Sequence, residues 1–272
     1  MNAIALALLL VGAGAEPASS SADLGGPRGA GAAADDDKIE TSLTWCGHAC
    51  FVLKTPTLSV LFDPLSPDLK LPMPKSSVVV DVVTLSHQHP DHGNLALAAG
   101  QPLVLRGLDK RGAWQPIDQV IQGVRVRTVG VFHDDQHGKQ RGRNAIFVVE
   151  WGGRRLVHVG DLGHVLSAEE VTAIGDVDDL LLPVGGVWTI DARAAVAVIA
   201  QLKPRRSIVP MHWGVPGANK FKLDPLEKFL AMIALPPRRL ESNVMPLDDV
   251  TPADQPELVV FALPPRIVVD AK

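Results

Sequence analysis

The chain has 272 residues, 46% of them hydrophobic, with 26 basic and 30 acidic side chains for a net charge of −4. That length suits one large domain or two small ones, with enough apolar material to bury a sizeable core. The slight acidic excess, the lack of a long basic run and the complete absence of tyrosine argue against nucleic acid as an obligatory partner.

In chain order, residues 2–15 form an apolar, Leu/Ala-rich run ending in Ala13-Gly14-Ala15, the small-x-small pattern that precedes a secretory cleavage point. The run is shorter than the roughly twenty apolar residues of a membrane span, and no Lys or Arg precedes it. We expect a signal peptide over 1–15 and export to the periplasm or beyond, or a cytoplasmic protein if the run is not a signal. Residues 16–40, rich in Gly, Ala, Ser and Asp, are expected to be a disordered linker. The domain proper then occupies residues 41–272.

Short apolar or alternating runs at 43–45, 51–54 and 58–62, separated by Gly or Pro, read as an antiparallel meander. Residues 78–85 read as a buried strand, 94–99 as a helical turn stopped by Gly100, and 102–105 as a strand. Residues 124–131 alternate as a strand. The runs 145–151 and 154–159 flank Gly152-Gly153 as a hairpin. The second half reads as more helical. Ser167 and Glu170 have capping-box spacing for a helix over 168–174, and Asp191 caps a helix over 192–202 that Pro204 ends. Residues 179–183, 207–210 and 258–262 read as strands. A last substantial helix is expected over 224–234, with Pro225 in its first turn.

The most informative run is TLSHQHPDHGN, which places His87, His89, Asp91 and His92 directly after the β-branched strand. Imidazole and carboxylate donors of this kind suit zinc and similar divalent ions. His87 and His89 can reach one ion; Asp91 and His92, on the following turn, point toward a second. His133, Asp161 and His212 each follow a predicted strand, where loops hold reactive groups over a rigid scaffold. Cys46 and Cys50 are too few for a disulfide framework and read as two buried free thiols.

These pieces together resemble the metallo-β-lactamase fold superfamily, which orders its ligands as HxHxDH, then His, then Asp, then His. Within it the chain is similar to stand-alone metal-dependent hydrolases such as ascorbate-6-phosphate lactonase. The runs that carry the likeness are TWCGHACFVL, LFDPL, VTLSHQHPDH, FHDD…RGRNAIF, HVGDLGH, LLPVGG, TIDA and VPMHWG, spanning about residues 41–235; PMHWG is also similar to the phospholipase D acting on N-acyl phosphatidylethanolamine. The resemblance implies an α/β (α+β) four-layer αβ/βα sandwich, two mixed sheets face to face with helices outside, and a dinuclear site at one edge. It implies His87, His89 and His133 on a first ion, Asp91, His92 and His212 on a second, and Asp161 bridging. His137 departs from the pattern and could compete with His133.

The resemblance therefore implies a hydrolase holding two divalent ions, zinc foremost with Mn²⁺, Fe²⁺ or Ni²⁺ also accommodated. It would cleave a small ester, lactone or phosphodiester, with Asp91 passing a proton to the leaving group. Ligating imidazoles hand their second N–H to an acceptor, for which Asp63 is the first choice. His48 and His164 are expected either to line the pocket or to be hydrogen-bonded structurally. Arg141 and Arg143 suit a substrate phosphate or carboxylate, unless Asp134 and Asp135 pair with them. Trp188 and Trp213 could wall the pocket, and Gly185-Gly186 would let backbone approach it. Two other readings use the same residues: a non-catalytic metal-binding scaffold, or an exported enzyme acting on β-lactams. Membrane contact has no amphipathic basic helix to support it.

Overall fold

The structure, a computed structural model, describes residues 41–71, 76–216, 222–248 and 250–264. The expected signal peptide and linker lie outside the described residues.

The chain runs β1 (Ser42–Gly47), β2 (Cys50–Lys54), β3 (Ser59–Phe62), β4 (Val78–Val79), β5 (Val82–Leu85), β6 (Ala98–Ala99) and β7 (Leu103–Arg106). It continues β8 (Asp118–Ile121), β9 (Val124–Phe132), β10 (Arg143–Trp151), β11 (Arg154–His158), α1 (Ala168–Ile174) and β12 (Asp179–Pro183). The remainder is α2 (Ala192–Leu202), β13 (Ser207–Met211), α3 (Leu226–Leu230), β14 (Pro237–Arg239), β15 (Val244–Pro246) and β16 (Glu257–Val260).

Two mixed sheets result. One has the order β15-β1-β2-β3-β5-β7 and the other β14-β16-β13-β12-β11-β10-β9-β8, while β4 and β6 form a separate pair. The antiparallel meander is present as β1-β2-β3, and β10 and β11 form the expected hairpin. From β11 through β12, β13 and β16 to β14 the pairing is parallel. Strands β5, β12 and β13 are buried along their whole length, as their continuous apolar runs require of parallel strands covered on both faces. Leu43, Phe51, Phe62, Phe147, Val157 and Leu181 belong to one apolar core with the buried face of α2.

Helix α1 has the full capping box, with Ser167 Oγ accepting from Glu170 N–H and Glu170 reaching back to the Ser167 N–H. Helix α2 begins at the Asp191 cap and stops at Lys203, whose left-handed conformation precedes Pro204. The expected flanking helices are fewer than a four-layer sandwich suggests. Helix α1 packs on β9 and α2 on α3. Over the six-stranded sheet, Leu61, Val83 and Leu85 are instead covered by Leu65, Leu69 and Leu97, carried on or beside 3-10 turns at Pro67–Leu69 and Leu95–Leu97.

Three expected elements change. The strand over 78–85 divides at Val80-Asp81, because the Asp81 carboxylate accepts from both the amide and the hydroxyl of Ser59. The helical turn over 94–99 is only one 3-10 turn followed by β6. The helix over 224–234 shortens to α3, with Pro225 extended at φ −70°, ψ 154° as its cap. A residue before proline is pushed out of the helical region, so Asp224 turns away; its N–H donates to Gly185 O at 2.7 Å.

Candidate metal centre

Five strand ends or turns deliver the site. Strand β5 ends at Leu85, and the next residues carry His87 and His89; Pro90–His92 is a 3-10 turn bringing Asp91 and His92 back over the same edge. His133 follows β9, Asp161 follows β11 and His212 follows β13. The β1–β2 turn, with a bulge between Trp45 and Gly47, carries His48. Carboxyl ends of strands converge here, the usual ligand-binding edge of such sheets.

All seven expected ligands come together. His87, His89 and His133 present donor atoms within 4.8 Å of one another, and so do His48, Asp91, His92 and His212. Asp161 Oδ2 lies between the two groups: 3.7 Å from His87 Nε2, 3.2 Å from His133 Nε2, 3.3 Å from His92 Nε2 and 3.3 Å from His212 Nε2. His48 Nε2 stands 3.4 Å from Asp91 Oδ2, and its ring lies 3.9 Å from that of His212.

The hydrogen-bond network sets which ring atoms face inward. Asp63 Oδ1 accepts from Ser86 N–H at 2.7 Å, and Oδ2 accepts the Ser86 hydroxyl at 2.5 Å. With its one proton committed to Asp63, the Ser86 hydroxyl accepts from His87 Nδ1–H across 2.9 Å. Asp63 Oδ2 likewise accepts from His92 Nδ1–H at 3.1 Å. Both rings therefore turn Nε2 toward the cleft, and Asp63 stands behind them as acceptor. An Asp63→Asn variant would oppose an amide N–H to one of these donors. It is expected to bind metal about 10- to 100-fold more weakly, measured by competition with a chromogenic chelator; an unchanged affinity would contradict the network.

The centre meets a direct test of fit to divalent cations. His92 Nε2, both ring nitrogens of His133, Asp161 Oδ1, His212 Nδ1 and His48 Nε2 are buried without a hydrogen-bond partner. Orphaned polar atoms are costly to bury, and so many at one point, borderline imidazole nitrogens with a hard carboxylate oxygen, match a divalent-metal site. Burial pushes His87 well below the ordinary imidazole range. Burial and the adjacent His212 push His48 down to about 4, which keeps its ring neutral. Burial works against a charged His92, but the Asp161 and Asp63 carboxylates raise it well above its ordinary value. Burial also opposes ionised Asp161 and Asp91; the surrounding imidazoles outweigh it and hold both carboxyls below the usual range.

Backbone geometry is spent on the same place. His48, Asp63 and His212 sit in the left-handed region at φ 53°, 41° and 52°, a conformation uncommon outside glycine and typical of constrained sites. The Gly185 prediction also holds: a Cβ there would lie 2.0 Å from His212 O. A Cβ on Gly163 would lie 2.2 Å from the His133 carbonyl carbon, so two ligand-bearing turns need a glycine against them.

His89, Pro90, Asp91, His133, Asp161, Trp188 and His212 line a cleft of about 200 Å³ opening from this centre. Trp188 forms its apolar wall as expected. Trp213 does not; it stacks on Trp45 with centroids 5.6 Å apart. His164 lies apart from the centre, its Nε2 accepting from Phe132 N–H at 3.1 Å and its Nδ1–H donating to Val165 O at 3.0 Å. His137 is exposed and packs on Phe132, so it does not compete with His133. The pairing of Arg141 and Arg143 with Asp134 fails as well. The buried Asp134 carboxylate instead accepts four backbone N–H groups, from Gln136, Gly138, Gln140 and Arg141. Cys46 and Cys50 are free and buried, and burial beside Cys46 raises the Cys50 thiol well above its ordinary range.

Two positioning residues went unread in the sequence. Asn144 donates to Val159 O at 2.8 Å and accepts from Asp161 N–H at 3.2 Å, tying β10 to the Asp161 turn. His158 bonds Ala49 O at 2.8 Å and stacks flat on Phe62, joining the two sheets beneath the site.

Comparison with known proteins agrees with this geometry. Residues 42–212 match the model of the beta-lactamase superfamily domain. A UPF0173 metal-dependent hydrolase of Anaeromyxobacter sp. (strain K) is 31% identical over 207 residues, covering 64% of this chain and 75% of that protein. The chain belongs to the metallo-β-lactamase superfamily, in its UPF0173 metal-dependent hydrolase family. A family member from Thermoplasma acidophilum is 29% identical over 70% of this chain and 89% of its own length. A crystal structure from Thermotoga maritima, provisionally described as a Zn-dependent hydrolase of the superfamily, superposes with a TM-score of 0.65 at 34% identity. It covers 81% of this chain and 98% of that one. The isothiocyanate hydrolase of Delia radicum gut bacteria shares the fold at 16% identity and a TM-score of 0.54, over 71% of this chain and 91% of that one.

Proposed function

We propose that this member of the UPF0173 family hydrolyses a small ester, lactone or phosphodiester with two divalent ions, zinc in the first place. His87, His89 and His133 would hold one ion. Asp91, His92 and His212 would hold the other with His48 beside them, and Asp161 would serve both. The observation that carries this reading is Asp161 Oδ2, 3.2–3.7 Å from four imidazole nitrogens drawn from both groups. When bound, such ions polarise the bond to be cleaved and acidify water from a pKa of about 15.7 toward about 7.

The chain's own residues do the rest. Asp63 and Ser86 hold His87 and His92 in one orientation. Asp91 is ionised and half-buried at the cleft, beside His48, and is the carboxylate that would relay a proton from water to the leaving group. Trp188 and Pro90 exclude water from one side of the substrate. The apolar run over 1–15 supports export as the setting for this activity.

The test is metal analysis of the purified chain, followed by chromogenic esters, lactones, phosphodiesters and β-lactams. We expect two ions per chain and turnover on one of the first three panels. Two bound ions without turnover on any panel would favour a non-catalytic scaffold, and turnover confined to β-lactams would replace the substrate class.

A further inference from the structure

We propose that a basic cleft beside the metal centre binds an anionic group, phosphate or carboxylate, carried by the substrate away from the bond that is cleaved. This rests on the hydrolase reading above and narrows its substrates to small anionic esters.

The cleft has a volume of about 530 Å³ and shares His87 and His89 with the metal centre, so one small molecule can span both. Arg111, Arg141 and Arg143 line it, and among the described residues no carboxylate side chain does. In a chain of net charge −4, three guanidiniums on one small concave surface make a local positive field.

Two of them are held in place by groups that leave their charge uncompensated. Arg141 donates through Nη2 to Val187 O at 2.9 Å and lies 5.3 Å over the Trp188 ring. Arg143 donates through Nη1 to Gly112 O at 3.1 Å and lies 4.7 Å over the Trp114 ring. A carbonyl and an aromatic face orient a guanidinium without neutralising it, and its remaining N–H donors form the planar fork suited to phosphate or carboxylate.

Among the described residues, the neighbouring acids do not line this surface. Asp134, 1% exposed, spends its carboxylate on four backbone N–H groups of the loop that ends at Arg141. That makes the loop rigid and places Arg141. Asp109 acts by its charge on Arg111 and Arg143, and its carboxylate accepts from the backbone N–H groups of Arg111 and Ala113, both at 2.8 Å. It lowers the field only in part, one charge against three.

The experiment titrates the full chain with inorganic phosphate and, separately, with benzoate, before and after chelation of its metal, by calorimetry. Binding of either anion is expected to survive chelation and to weaken at least about tenfold in Arg141→Gln/Arg143→Gln, the loss of one or two charge-assisted hydrogen bonds. The tighter anion assigns the group. Thermal melting checks that the variant folds, and Arg141→Lys/Arg143→Lys, which keeps the charge but not the fork, should fall between it and the native chain. Binding that disappears with the metal, or is equal in the native and Gln chains, overturns the proposal. Turnover is not measured, so failure of the hydrolase reading would leave this result intact.

Discussion

Asp161→Ala is expected to lose metal and hydrolysis together. Its Oδ2 stands at 3.2 Å from His133 Nε2 and 3.3 Å from both His92 and His212 Nε2, so among the described residues no other side chain stands ready to replace a donor common to both groups. Loss of a mere supporting contact typically costs 10- to 100-fold in metal affinity or activity; loss of this shared donor should exceed about 100-fold. The variant should still fold, because Asp161 contributes no apolar packing and its backbone remains tied to Asn144. Metal analysis and a thermal melt on the same sample decide it. A folded variant with two bound ions and native turnover would remove Asp161 from the centre.

The largest effect on stability should come from the opposite end of the second sheet's strands, where Arg154, Asp179 and Ser207 begin β11, β12 and β13. Arg154 grips the fully buried Asp179 through Nε at 2.6 Å and Nη2 at 2.8 Å, and Ser207 Oγ donates to the same carboxylate at 2.7 Å. Arg154 also donates to Leu247 O, so the pair joins β11, β12, β13 and the chain beyond β15. Asp179→Ala leaves a guanidinium that is 8% exposed without its partner. Breaking a buried pair in this way costs about 3–5 kcal/mol. Urea denaturation would measure it, and the double variant Arg154→Ala/Asp179→Ala should cost less than the two single changes summed. A loss under about 0.5 kcal/mol, as for a surface substitution, would show that the pair does not anchor the strands.

The site was legible where its chemistry is local. HxHxDH is contiguous, and His133, Asp161 and His212 each follow a run whose strand character comes from its own side chains. Asp63 was legible because an imidazole ligand needs an acceptor behind it, and an acid at the end of an early strand can supply one. The helices α1 and α2 were legible to the residue, since caps and stops are decided within one turn. A strand expectation failed where a distant partner outbid local preference: Asp81 divides a strand by binding Ser59. Where the sequence left two roles open, space chose between them. Asp134 binds its own loop's amides rather than the arginines, and His164 is held by Phe132 N–H rather than lining the pocket.

What the amino-acid sequence determined by itself is the donor set, the runs that become strands and the caps that begin helices, because each depends on side-chain chemistry or on periodicity within a few residues. Tertiary structure alone decided that His48 joins Asp91, His92 and His212. That placement needs a bulged turn between β1 and β2, a left-handed backbone and the packing of one sheet on the other. It also decided which cations stay unneutralised, for a guanidinium's partner is set by the nearest acceptor in space, and the chain's order does not contain that distance.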